Sequence, residues 1–261
     1  MQPDSRPRVL LVGAGPGAAD LLTVRAVRAL GEADVVLADA LVTDDIRALI
    51  SPAARIIEVG KRGHRPSTSQ DFINRLMLRL AQAGETVVRL KGGDPSIFGR
   101  SGEEREFLES HGVAVDVIPG ITTASAAAAE FGFSLTTRAG ARRVLLATGR
   151  TLEGVAGGWA TAADPSTTLC LYMGCADIDH IATQLIAAGL PSHTPAIAAL
   201  DVSRPGSRLV RSTIAALAAD LANEKNDAPA FICIGEACTD AMQASAASRV
   251  SLPHVSSRPT C

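Results

Sequence analysis

The sequence predicts an α/β protein made of two α/β domains. Three observations carry that prediction. Short apolar runs alternate with segments of helical periodicity, the pattern of strands joined by crossover helices. The 261 residues accommodate two domains of about 100–150 residues each. The composition is 47% hydrophobic but only 3% aromatic, which suits Ala-, Val- and Leu-rich strands buried on both faces.

The elements follow in order. Residues 8–12 form an apolar strand, 20–30 a helix and 33–37 a second strand. Ser67, three residues before Gln70, is the expected capping residue of a helix over 70–83, in which Phe72, Ile73, Leu76, Leu78 and Leu80 recur at helical spacing. A strand over 86–90 runs into Lys91-Gly92-Gly93-Asp94-Pro95, and Ser101-Gly102-Glu103-Glu104 opens the next helix. An apolar strand through Val117-Ile118 leads to residues 119–140, an Ala-rich short helix and a turn, which hold the domain junction. A second strand-rich region begins near Arg143 with 144–147 and continues through 168–173, 195–200 and 228–234. The expected domains are 8–120 and 121–243. Residues 154–165, containing Trp159, read as loop, and the Ser/Pro-rich 244–261 as a disordered tail.

Composition also narrows the function. The formal charge of −2 supplies no global basic field for nucleic acid or an anionic membrane, so an anionic substrate must be held by local arginines. Apolar runs such as 9–12 and 144–147 fall far short of the roughly 20 residues that span a bilayer. The first seven residues contain no apolar signal core, and a cytoplasmic protein is expected. The five cysteines are odd in number, lack a C-x-x-C pair and read as reduced structural thiols. His64, His111, His180, His193 and His254 show no ligand spacing, and no metal site is expected.

Three segments carry chemistry. The first strand runs into Gly13-Ala14-Gly15-Pro16-Gly17-Ala18, a G-x-G-x-x-A pattern. Glu32, Asp34 and Asp39 follow at about the distance of a ribose-binding side chain, but Pro16 removes a backbone N–H from the loop that would cradle a pyrophosphate. A nicotinamide site, another nucleoside site and a plain glycine turn all remain open here. The second segment, 91–100, places two adjacent glycines at a strand's C-terminal end, where a ligand can approach the backbone of an open α/β sheet. Asp94 is suited there to accept hydrogen bonds from a ligand hydroxyl or amino group, or to close a Gly-Asp-Pro turn. The third, Pro119-Gly120-Ile121-Thr122-Thr123, brings two hydroxyls to a helix start, where a cap is the simpler reading.

Taken in order, Gly13–Gly17, Val59-Gly60-Lys61-Arg62, Arg89-Leu90-Lys91-Gly92-Gly93-Asp94-Pro95, Phe98-Gly99-Arg100, Pro119-Gly120-Ile121-Thr122 and Tyr172-Met173-Gly174 resemble the tetrapyrrole methylases from about Val9 to Gly235. The resemblance implies a homodimer of two-domain subunits, with S-adenosylmethionine in a cleft between the domains and S-adenosylhomocysteine as by-product. It further implies two methylations of uroporphyrinogen III, giving precorrin-2 for sirohaem or cobalamin synthesis. By motif the cofactor contacts are Pro16, Gly92, Gly93, Asp94, Ile97, Thr122, Thr123, Met173 and Ala230, with Val202 beside them. Met173 also reads as a core residue. Asp39 matches the family's proton acceptor and Lys61 its proton donor, although the residues alone also allow Asp39 to be a helix cap or strand-end turn. Arg100 and Arg138 are placed by motif to bind substrate carboxylates, with Glu103 orienting Arg100, while Arg62, Arg65, Arg142 and Arg143 are weaker candidates.

The chain departs from the family pattern at Ala40, where many relatives carry arginine, at Thr137 and Arg150, where histidine is common, and at Ser96, where phenylalanine is common. Those departures leave a related precorrin as an alternative substrate. Two other classes stay in view, a nicotinamide oxidoreductase using Gly13–Ala18 and a tetrapyrrole-binding protein without catalysis.

Overall fold

The computed structural model describes residues 7–60, 68–151, 154–155, 159, 162–224 and 228–243. The chain divides into two compact units between Thr122 and Thr123.

The first unit holds β1 (Arg8–Gly13), α1 (Val24–Glu32), β2 (Val35–Ala38), α2 (Asp44–Arg47), β3 (Arg55–Glu58), α3 (Gln70–Gln82), β4 (Val87–Lys91), α4 (Ser101–Ser110) and β5 (Ala114–Ile118). Its five strands lie in the order β3-β2-β4-β1-β5, and every pairing is parallel. Parallel strands must be covered on both faces. One face packs Leu10, Val12, Val36 and Val88 against Leu30 of α1, and the other packs Val9, Leu11, Val35 and Val87 against Met77 and Leu80 of α3.

One expected helix start shifts, and one expected cap is replaced. The helix read over 20–30 begins at Val24, because Ala19–Leu21 tightens into a 3-10 turn and the Thr23 hydroxyl accepts the Ala26 N–H at 3.2 Å. The helix read over 70–83 is capped by Ser69, whose hydroxyl accepts the Phe72 N–H at 3.2 Å. Ser67 lies outside the described residues.

The second unit holds α5 (Thr123–Phe131), β6 (Arg143–Thr148), β7 (Arg150–Thr151), β8 (Gly154–Val155), β9 (Thr167–Tyr172), α6 (Ile178–Ala187), β10 (Pro195–Leu200), β11 (Arg208–Thr213), α7 (Leu217–Ala222), β12 (Ala230–Ile234) and α8 (Thr239–Gln243). Its main sheet runs β11-β10-β12-β9-β6 and is mixed, since β6 joins β9 in parallel and the other pairs are antiparallel. Trp159, in the stretch read as loop, is buried in this unit's core with Leu171, Ile181 and Leu185. Among the described residues no helix is long and apolar enough to cross a membrane.

Candidate functional site

In the first unit the parallel register aligns the carboxyl ends of four strands at one edge. Gly13 stands opposite Lys91, Ala38 opposite Leu90, and Val12 opposite Ile118. The residues just beyond those ends are therefore neighbours: Ala14–Pro16, Asp39, Gly92–Asp94 and Gly120. Open α/β sheets bind ligands at this edge, where strand order changes direction.

The three loops lock through backbone. Ala14 N–H donates to the Lys91 carbonyl at 2.7 Å, and Gly15 and Gly93 exchange hydrogen bonds of 3.1 and 2.7 Å. A Cβ on Gly13 would stand 2.5 Å from Gly120 N, so no larger residue fits either position without displacing a loop. Gly93, in a left-handed conformation at φ 67°, has an open side where a Cβ would meet nothing within 4 Å.

This geometry bears on the readings of Gly13–Ala18. The amides of Ala14 and Gly15 are spent on the second loop, Pro16 has none, and α1 begins only at Val24. Neither the Ala14 nor the Gly15 amide is therefore turned toward a pyrophosphate. Bare glycine backbone with one open face instead suits a ligand without a pyrophosphate, as S-adenosylmethionine is.

Asp94 accepts Gly120 N–H at 2.9 Å through Oδ2 and Ser96 N–H at 2.8 Å through Oδ1, clamping the second loop to the third. A carboxylate has about four acceptor sites, so capacity remains on both oxygens. Ile97 closes the same turn by donating to the Asp94 carbonyl at 3.2 Å. Phe98 and Arg100 adopt positive φ of 52° and 57° around Gly99, whose Cβ, if present, would lie 2.4 Å from the Pro95 carbonyl. Non-glycine residues held this way mark a tightly determined loop. Arg100 donates to Glu103 through Nε at 2.9 Å and Nη2 at 2.6 Å. That pairing raises the Arg100 pKa and holds the Glu103 carboxyl below the usual carboxylate range.

Asp39 follows β2 and its side chain is 29% exposed. The cap of α2 is Thr43, and the Asp39 carboxylate pairs with Arg89. The helix-cap reading of Asp39 is therefore set aside, whereas the strand-end turn is present, with Val42 N–H donating to the Asp39 carbonyl at 3.1 Å. Gly60 lies against the next residue, since a Cβ there would fall 1.9 Å from Ala40 N. Lys61, Arg62 and Arg65 lie outside the described residues.

Beneath Asp39 is a charged network that the motif reading did not single out. Arg89, Lys91 and Glu104 are 3%, 4% and 0% exposed. Arg89 donates through Nη1 to the carbonyls of Leu37 and Leu90 at 3.3 and 3.2 Å, and through Nε to Glu104 at 3.3 Å. Lys91 Nζ lies 2.9 Å from both Glu104 oxygens, and Gln70 adds a hydrogen bond of 3.0 Å. Burial pushes the Lys91 ammonium down, with Arg89 adding to the effect and Glu104 opposing it. The available signal was two cations at alternate positions of a strand otherwise read as core.

The second unit gathers a different subset. Tyr172 pairs with Phe231 and Leu200 with Ala230, so Met173, Val202 and Ala230 lie at one end of its sheet. The Tyr172 hydroxyl accepts Ala124 N–H at 3.2 Å, bringing the start of α5, with Thr123, to the same end. Met173 is 55% exposed with φ 54°, which removes the reading of it as core. Val202 is buried between Asp201 and Ser203, both at positive φ, and Glu130 of α5 fixes that turn by accepting Ser203 N–H at 2.7 Å. Thr137 accepts the N–H groups of Gly140 and Ala141 at 3.2 and 3.0 Å, closing the turn that presents the exposed Arg138. Thr122 is half-buried at the end of the first unit.

Residues 8–218 match the family of Tetrapyrrole (Corrin/Porphyrin) Methylases. The chain belongs to that family. A uroporphyrinogen-III C-methyltransferase of Pseudomonas aeruginosa is 45% identical over 233 residues, 89% of this chain and 95% of the relative. The chloroplastic S-adenosyl-L-methionine-dependent uroporphyrinogen III methyltransferase of Arabidopsis thaliana is 45% identical over 87% of this chain, which spans 63% of that longer relative. Among tetrapyrrole methylases of known structure, the Thermus thermophilus uroporphyrin-III C-methyl transferase complexed with S-adenyl homocysteine superposes with a TM-score of 0.76. It is 39% identical, and the match covers 88% of this chain and 98% of that one.

Proposed function

We propose that this chain transfers methyl groups from S-adenosylmethionine to uroporphyrinogen III, twice, giving precorrin-2 for sirohaem or cobalamin synthesis. The observation that carries the reading is the 45% identity to the Pseudomonas aeruginosa enzyme over 95% of its length. We place the enzyme in the cytoplasm, as a homodimer. Support for a reducing compartment comes from Cys170 and Cys233, which are buried apolar-strand thiols; support for the dimer comes from family resemblance.

The cofactor contacts proposed are Pro16, Gly92, Gly93, Asp94, Ile97 and Thr122 from the first unit, with Thr123, Met173, Val202 and Ala230 from the second. When bound, S-adenosylmethionine supplies an electrophilic sulfonium methyl. The glycine backbone of the locked loops fixes orientation, which can lower such a barrier by roughly 7–11 kcal/mol. Asp39 accepts the proton lost from the methylated ring system, and Lys61 is the proton donor. Arg100, oriented by Glu103, and Arg138 bind carboxylates of the substrate, each charged hydrogen bond contributing about 1.5–3 kcal/mol where sheltered. Ala40, in place of the expected arginine, favours a second reading in which a related precorrin is the acceptor.

Asp39→Asn tests the assignment. Its affinity for S-adenosylhomocysteine should equal that of the wild type while labelled-methyl turnover falls on the order of 10²–10⁴-fold. Loss of cofactor binding would make Asp39 structural, and preference of the wild type for NADH would overturn the methyltransferase reading.

A further inference from the structure

A buried carboxylate lies one residue removed from the proposed proton acceptor. Glu104 is 0% exposed and accepts from Lys91, Arg89 and Gln70. Arg89 in turn has four of its five N–H groups committed: Nε to Glu104, both on Nη1 to the Leu37 and Leu90 carbonyls, and one on Nη2 to Asp39. A guanidinium is a planar fork, so bonds along both edges leave it one orientation. The two carbonyls hold Nη1 and Asp39 holds Nη2, and the bond from Nε to Glu104 fixes the inner edge of the fork.

We propose that Glu104 is a positioning residue for Asp39, acting through Arg89. The inference rests on the reading of Asp39 as proton acceptor. The groups that face Glu104 and Asp39 are Arg89 and Lys91 of β4, with Gln70 and Asn74 of α3 behind them. Two basic and two acidic side chains pair, so the cluster fixes the Asp39 side chain at the partly open edge while Arg89, Lys91 and Glu104 stay buried. Lys91 neutralises Glu104, and Glu104 spends its remaining capacity on direction.

Such a role predicts a split between rate and binding. Glu104→Gln keeps the shape of the side chain but weakens its hold on Arg89. In the full-length protein kcat should fall on the order of tenfold to a hundredfold, the cost of a small misplacement, with S-adenosylhomocysteine affinity and substrate KM unchanged. Glu104→Asp, which keeps the charge, should recover part of the rate. In an Asp39→Asn background the Glu104→Gln change should lower kcat by less than about twofold, because the two residues act as a unit. If Glu104→Gln does not fold, the charge-balanced Lys91→Met/Glu104→Gln variant replaces it and should show the same loss of rate.

A second readout needs no turnover. In the ligand-free protein, NMR of ¹⁵N-arginine-labelled samples should show an Arg89 Nε–Hε resonance protected from exchange, and Glu104→Gln should remove that protection. Unchanged kcat in a folded variant, a loss that multiplies in the Asp39→Asn background, or protection retained without Glu104 would each overturn the proposal. Absence of methyl transfer by the wild type would instead sink the functional reading, and the exchange measurement would then decide the positioning role by itself.

Discussion

Gly120 and Gly93 approach so closely that a Cβ on Gly120 would stand 2.3 Å from the Gly93 carbonyl oxygen. The contact joins the third loop of the first unit to the second, and Asp94 reinforces it by accepting Gly120 N–H. Gly120→Ala should therefore push the loops apart. Overpacking of this kind costs about 1–3 kcal/mol, so a lowered melting temperature with weakened S-adenosylhomocysteine binding by calorimetry is the expected result.

Tyr172 ties the start of α5 to its sheet through a polar contact. Tyr172→Phe keeps the ring against Phe231, 5.5 Å away between centroids, and removes the hydroxyl that accepts Ala124 N–H. The expected stability loss is about 1 kcal/mol by denaturant unfolding, accompanied by weaker cofactor binding as the Thr123 end of α5 loosens.

Met173 makes a different prediction because its backbone is strained and its side chain exposed. Met173→Gly should raise stability by about 1 kcal/mol by relieving the left-handed conformation. Cofactor affinity should fall at the same time. A variant that is more stable and binds as tightly as the wild type would remove Met173 from the site.

The pair Arg100–Glu103 gives a pH signature. Glu103 has a folded pKa below its unfolded value, so its stabilising contribution is present above the unfolded value and is lost as pH falls through the lowered folded one. Both side chains are about half exposed, and the contribution to stability is accordingly small. Carbon-detected NMR titration should find the Glu103 carboxyl titrating low in the wild type and returning to the ordinary carboxylate range in Arg100→Leu.

The fold was legible where burial writes a pattern into the chain. The strands β4, β9 and β10 are almost wholly buried, and the sequence places them within a residue or two. The edge strand β3 is largely exposed and β11 is half-buried, so neither leaves such a pattern, and both were missed. At the site, the glycine loops are visible as motifs because close backbone approach demands glycine. Their connections are not: Asp94 meets Gly120 across 26 residues and Tyr172 meets Ala124 across 48, distances over which no local periodicity operates. The Glu104–Arg89–Asp39 chain was hidden for the same reason, each member lying on a different element.

The central claim is that this chain methylates a tetrapyrrole, and product mass tests it most directly. Purified protein would be incubated anaerobically with uroporphyrinogen III and methyl-labelled S-adenosylmethionine, and the product weighed by mass spectrometry. The account predicts two labelled methyl groups on the macrocycle, with Ala40 tolerated. No transfer, in protein shown to bind S-adenosylhomocysteine, would contradict uroporphyrinogen III as substrate.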